Sequence, residues 1–136
     1  MAYILVADDD DVLAEIVRQR LTAVGHEVTA VEDGEQLLEQ VRYRMPDAIL
    51  LDAMMPVRSG IETLIALKSD PVHSEIPIIM MTARRNQADV LAALKAGASD
   101  YVTKPFSPED LALRIEGLLA RRHYAAEGCG MGKVFH

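Results

Sequence analysis

Five short apolar runs recur along this 136-residue chain, and four of them end on residues able to do chemistry. Asp8 and Asp9 close the run Tyr3–Ala7, Asp52 closes Ala48–Leu51, Thr82 closes Ile78–Met81, and Lys104 closes Tyr101–Thr103; Val28–Val31 is the fifth run. Amphipathic stretches separate them. Val12, Leu13, Ile16, Val17 and Leu21 are spaced for one helix face, and Gly25 stops that helix. Leu37, Leu38 and Val41 mark a second helix that ends before Pro46, and Ile61, Leu64, Ile65 and Leu67 mark a third. Val90, Leu91 and Leu94 give a fourth, closed at Gly97. Ser107-Pro108-Glu109-Asp110 opens a fifth with a serine cap, a proline in the first turn and acids at the positive end of the dipole. Leu111, Leu113, Ile115, Leu118 and Leu119 continue it.

Five alternations of strand and helix predict an α/β fold: right-handed crossovers and a doubly wound parallel sheet with helices on both faces. Ala48–Leu51 is apolar throughout, as a strand covered on both sides must be. The carboxyl ends of such strands share one edge, and ligands bind there. The pattern therefore predicts that three carboxylates, a hydroxyl and an ammonium meet.

The length suits one domain with its own core, read as residues 1–122. Ala125–Gly132 is rich in glycine and small residues, and 123–136 reads as a tail or linker. No apolar run reaches the length of a membrane span, and Met1-Ala2-Tyr3-Ile4 lacks the basic head of a secretion signal. The single cysteine, Cys129, cannot form an internal disulfide, which fits a reducing cytoplasm. A net charge of −7 argues against binding nucleic acid through a general basic surface.

Taken singly, acids at strand ends are more often helix caps than ligands, and the run Asp8–Asp11 suits a helix N-terminus. Asp52 shifts that balance, because it ends the central run and belongs beside the end of the first. Crowded carboxylates repel one another, and a divalent cation resolves the cost. Mg²⁺, with Mn²⁺ as the alternative, takes oxygen ligands of this kind. Lys104 alone would be a solvated charge, and Thr82 an ordinary strand residue. Lys104 precedes Pro105-Phe106, and that X–Pro bond is a candidate for the cis form. Together, the lysine and the hydroxyl suit the oxygens of a phosphoryl group.

The sequence resembles a receiver domain of a two-component response regulator from residue 3 to about 122. The resemblance rests on Ile4-Leu5-Val6-Ala7-Asp8-Asp9-Asp10, Asp52-Ala53-Met54-Met55-Pro56 with Gly60, Met81-Thr82-Ala83, Ala96-Gly97-Ala98 and Asp100-Tyr101-Val102-Thr103-Lys104-Pro105-Phe106. It implies a flavodoxin-like five-stranded sheet in the order 2-1-3-4-5. It implies that Asp52 accepts a phosphoryl group from a sensor histidine kinase or a histidine phosphotransfer protein, with Mg²⁺ held by Asp8, Asp9, Asp52 and the backbone carbonyl of Met54. Lys104 would pair with the phosphoryl oxygens, Thr82 would move toward them, and Tyr101 would turn inward. That motion would reshape a face read by a downstream effector domain or protein. The chain would catalyse only its own aspartyl phosphorylation and dephosphorylation.

Positions 54 and 84 tune hydrolysis in such domains. Methionine at 54 cannot orient a water, which predicts no fast self-dephosphorylation; phosphate release within seconds contradicts this. Asp100 and Arg114 match a charged pair that winged-helix transcription regulators of this family use across a symmetric receiver dimer, which implies a weak homodimer here. A second such pair would need a basic residue where Val90 stands, facing Asp110. Two alternatives use the same fold class. Asp8-x-Asp10-x-Val12 fits the nucleophile pattern of a haloacid-dehalogenase-type phosphatase, which leaves Asp52 without a role. A flavodoxin-like binder would need its phosphate loop where four aspartates stand. His26, His73, His123 and His136 are too scattered for a metal site and read as surface residues, and Met80 and Met81 as core or site walls.

Overall fold

The computed structural model describes residues 2–83 and 87–135, with side chains described through Arg121. The strands are β1 (Tyr3–Ala7), β2 (Glu27–Val31), β3 (Ala48–Asp52), β4 (Ile78–Thr82) and β5 (Asp100–Thr103). The helices are α1 (Asp11–Ala23), α2 (Gly34–Tyr43), α3 (Gly60–Ser69), α4 (Gln87–Lys95) and α5 (Pro108–Phe135). All strand pairs are parallel, and the order is β2-β1-β3-β4-β5, as expected.

Strand alternation splits the core into two layers. Leu5, Ile49, Leu51 and Met80 pack on one face with Leu37 of α2, Leu64 and Leu67 of α3 and Ala93 of α4. Val6, Leu50 and Met81 pack on the other with Val17 and Leu21 of α1 and Ile115 and Leu118 of α5. Each large side chain so buried contributes about 1.5–3 kcal/mol. Gly25 and Gly97, at φ 99° and 113°, follow α1 and α4 as the sequence predicts.

The predicted helices are present, but several residues assigned to their buried faces are not buried. Val12 is 71% exposed and Ile16 also faces solvent, while Ala14, Val17 and Leu21 form the buried stripe of α1. Leu91 and Leu94 are exposed and only Ala93 of α4 is buried. Ile65 and Leu113 are exposed as well. Apolar spacing identifies a helix; which part of a wide apolar face is buried depends on the neighbour it meets. The backbone of α5 is helical through Phe135, past the point where the apolar pattern ends. Helix propagation is a local backbone matter and does not need that pattern, although glycines at 128, 130 and 132 each weaken it by about 1 kcal/mol relative to alanine.

Candidate functional site

Ala7 pairs with Leu51 across β1 and β3, so the next residues, Asp8 and Asp52, emerge together at the carboxyl edge. Both are buried, whereas Asp9 is exposed. Asp8, Asp9 and Asp52 each offer a carboxylate oxygen within 4.8 Å of the others. The four consecutive aspartates divide by geometry. Asp8 Oδ1 accepts the Asp10 N–H at 2.9 Å, and Asp10 Oδ1 caps α1 by accepting the N–H groups of Val12 and Leu13, each at 3.1 Å. Asp11 lies in the first turn, where the dipole favours it.

Lys104 follows β5, and its N–H donates to the carbonyl of Thr82 at 2.7 Å. The Lys104–Pro105 peptide is cis. Lys104 Nζ lies 3.0 Å from Asp8 Oδ2 and 3.5 Å from Asp52 Oδ2. Asp52 Oδ1 in turn accepts the Met54 N–H at 3.3 Å.

Burial pushes the Asp52 carboxyl up to about 6, and the Asp8 charge adds to this; the Met54 N–H and Lys104 oppose it. Burial draws Lys104 down, but its hydrogen bond to Asp8 and the charges of Asp52 and Asp8 outweigh that and leave it raised. One ammonium thus lies against two of the three clustered carboxylates. The donors are all hard oxygens, one of them on an exposed residue, and such a set fits Mg²⁺ rather than a soft metal.

Thr82 is buried at the end of β4, and half-buried Tyr101 of β5 lines the same cavity of about 190 Å³ under Ala92 and Ala93. Arg84 and His136 lie outside the described residues, as do the side chains of His123 and Cys129. Arg114 bridges Asp100 and Asp110 within one chain, both at 3.0 Å, so the charges expected to act across a dimer already pair internally. Val90 is half-buried on α4 and supplies no charge there. His26 departs from its surface assignment: it is buried, its Nδ1 accepts the Ala2 N–H at 3.1 Å, and its Nε2 meets Glu116 of α5.

Gly60 has a steric role. A Cβ there would lie 2.3 Å from the Asp52 carbonyl oxygen and 2.7 Å from Ala53 Cα, so only glycine lets α3 begin against the end of β3. Sequence reasoning did not single out the neighbouring Val57 and Arg58. Val57 has φ 69°, a conformation costing about 1–3 kcal/mol for a non-glycine residue, and a β-branched side chain gives no warning of it.

A family model for the response regulator receiver domain matches residues 4–116. The chain is 42% identical over 132 residues to the DNA-binding response regulator MtrA of Mycolicibacterium smegmatis, covering 96% of this chain and 57% of that protein. It spans about half the length of the curated relatives it matches. The Francisella response regulator 1452 receiver domain superposes with a TM-score of 0.85 at 32% identity, covering 90% of this chain and 99% of that one. The beryllofluoride-activated DrrB receiver domain does so at 0.81 and 34%, covering 88% and 98%. Fold, motif order and these matches agree: the chain belongs to the response regulator receiver domain family of two-component signal transduction.

Proposed function

We propose that Asp52 is the phosphoacceptor of this receiver and that Asp8, Asp9, Asp52 and the backbone carbonyl of Met54 hold Mg²⁺ beside it. The observation that carries this reading is the meeting of three carboxylates within 4.8 Å with Lys104 Nζ against two of them. Asp52 attacks the phosphorus of a kinase or phosphotransfer-protein phosphohistidine; the O–P bond forms, the N–P bond breaks, and the freed imidazole nitrogen takes a proton. When bound, Mg²⁺ offsets the charge of the carboxylates and of the phosphoryl oxygens. Lys104 supplies the only ammonium at that edge among the described residues, and positioning with charge compensation accounts for most of the catalysis in phosphoryl transfer.

Thr82 then reports the new oxygens, and Tyr101 follows into the cavity both residues line, which reshapes the surface of α4, β5 and α5. That surface is read by an effector domain or protein. The chain catalyses only its own aspartyl phosphorylation and dephosphorylation. Among the described residues no helix is long and apolar enough to cross a membrane. The phosphatase alternative is not favoured, since buried Asp8 has its Oδ1 bonded to the Asp10 amide and its Oδ2 to Lys104. Incubation with acetyl phosphate and Mg²⁺ tests the reading by intact mass. The wild type gains one phosphoryl group and Asp52→Asn gains none; a gain by Asp52→Asn, or a gain without divalent metal, overturns it.

A further inference from the structure

The loop from Ala53 to Ser59, between β3 and α3, holds a conformation that its sequence disfavours. The Arg58 N–H donates to the Pro56 carbonyl at 2.7 Å around Val57 at φ 69°. A hydrogen bond closed over two residues with a positive central φ is the rare, strained form of γ-turn. Val57 is 78% exposed, so packing of its own side chain does not hold it there. Its neighbour is held instead. Arg58 Nε and Nη2 both reach Glu35 Oε1, at 2.6 and 2.5 Å, and Glu35 lies in the first turn of α2. The same turn presses on the loop at Gly34, where a Cβ would lie 3.1 Å from both the Cβ and the carbonyl oxygen of Arg58.

Ser59 caps α3 through Glu62 and Thr63, and the attachments at the start of the loop run toward the site. The Gly60 N–H donates to the Ala53 carbonyl at 3.0 Å, the Ala53 N–H to the Met81 carbonyl at 2.9 Å, and the Met54 N–H to Asp52. With Ala53 tied to β4 and Gly60 tied to Ala53, a displacement at Val57 and Arg58 is taken up between those anchors, in the stretch that contains Met54. We infer that the Glu35–Arg58 pair is a latch: it holds the Val57 turn, so that Arg58 is a positioning residue for divalent-cation binding at Asp8, Asp9 and Asp52. The inference rests on the cation reading of that cluster given above.

Calorimetric titration of the full chain with Mg²⁺ tests it. Glu35→Gln and Arg58→Gln each weaken binding about three- to fivefold, the range a partly exposed ion pair can transmit. A purely coulombic influence predicts opposite signs, weaker binding without Glu35 and tighter binding without Arg58. Glycine adopts the positive φ freely, so Val57→Gly combined with Arg58→Gln recovers most of the wild-type affinity. Opposite signs for the two single variants, or no recovery in the double variant, overturns the latch. If Asp52→Asn binds Mg²⁺ as tightly as the wild type, the cation reading itself falls, and the latch with it.

Discussion

Lys104 and Asp8, ninety-six residues apart in the chain, meet at 3.0 Å on the carboxyl edge of the sheet. Asp8 is fully buried at its side chain, while Lys104 keeps 21% of its own exposed. The lysine therefore acts on the fold, because it compensates a carboxylate that water does not reach.

Replacing Lys104 by methionine leaves that carboxylate unpaired. The expected loss at neutral pH is about 2–3 kcal/mol, below the 3–5 kcal/mol of a fully buried pair because Lys104 is partly solvated. Chemical denaturation at pH 8 and pH 5 checks this: the loss shrinks at the lower pH, where the acidic cluster takes up a proton. An equal loss at both values would count against charge compensation as the cause.

Stability of the metal-free protein should rise as the pH falls from 7.5 to 5. Asp52 titrates near 6 in the folded chain against an ordinary 3.8, so the folded state binds the proton more tightly. A raised carboxyl contributes stability that is fully present below the unfolded value and is lost as pH rises through the folded one. Over this window the gain is about 1.4 kcal/mol, and Asp52→Asn removes it. Denaturant midpoints of the two proteins, measured in chelator across the window, give the comparison.

Neutralising Asp9 relieves crowding without exposing any core. Without metal, Asp9→Asn should melt at or above the wild-type temperature. Mg²⁺ at about 100 times its Kd should stabilise the wild type by roughly 2.7 kcal/mol and the variant far less. Thermal melts with and without Mg²⁺ decide the matter; a marked drop in the melting temperature of metal-free Asp9→Asn would speak against crowding.

At Gly60, even alanine should be poorly tolerated. Its Cβ would overlap backbone atoms of Asp52 and Ala53, which cannot move aside as a side chain tip can. A destabilisation of about 3 kcal/mol is expected, with weakened Mg²⁺ binding as the end of β3 shifts. Gly117, where an added Cβ would meet nothing within 4 Å, is the control: Gly117→Ala in mid-helix should be neutral or stabilising by up to about 1 kcal/mol.

The element order, the parallel sheet and the placement of Asp8, Asp52, Thr82 and Lys104 at one edge were legible in the amino-acid sequence. Those features follow from period and polarity, which are local, and from the few topologies that alternating strands and helices allow. Packing settled what local pattern cannot express. It divided four identical aspartates among site, cap and helix turn, and it turned Val12, Leu91 and Leu113 outward from helices whose apolar faces are wider than their contacts. It also buried His26 against Glu116, and set Val57 in a left-handed turn beside an ion pair formed across 23 residues. Each of these depends on which surface a residue meets, and that is known only once distant segments have packed.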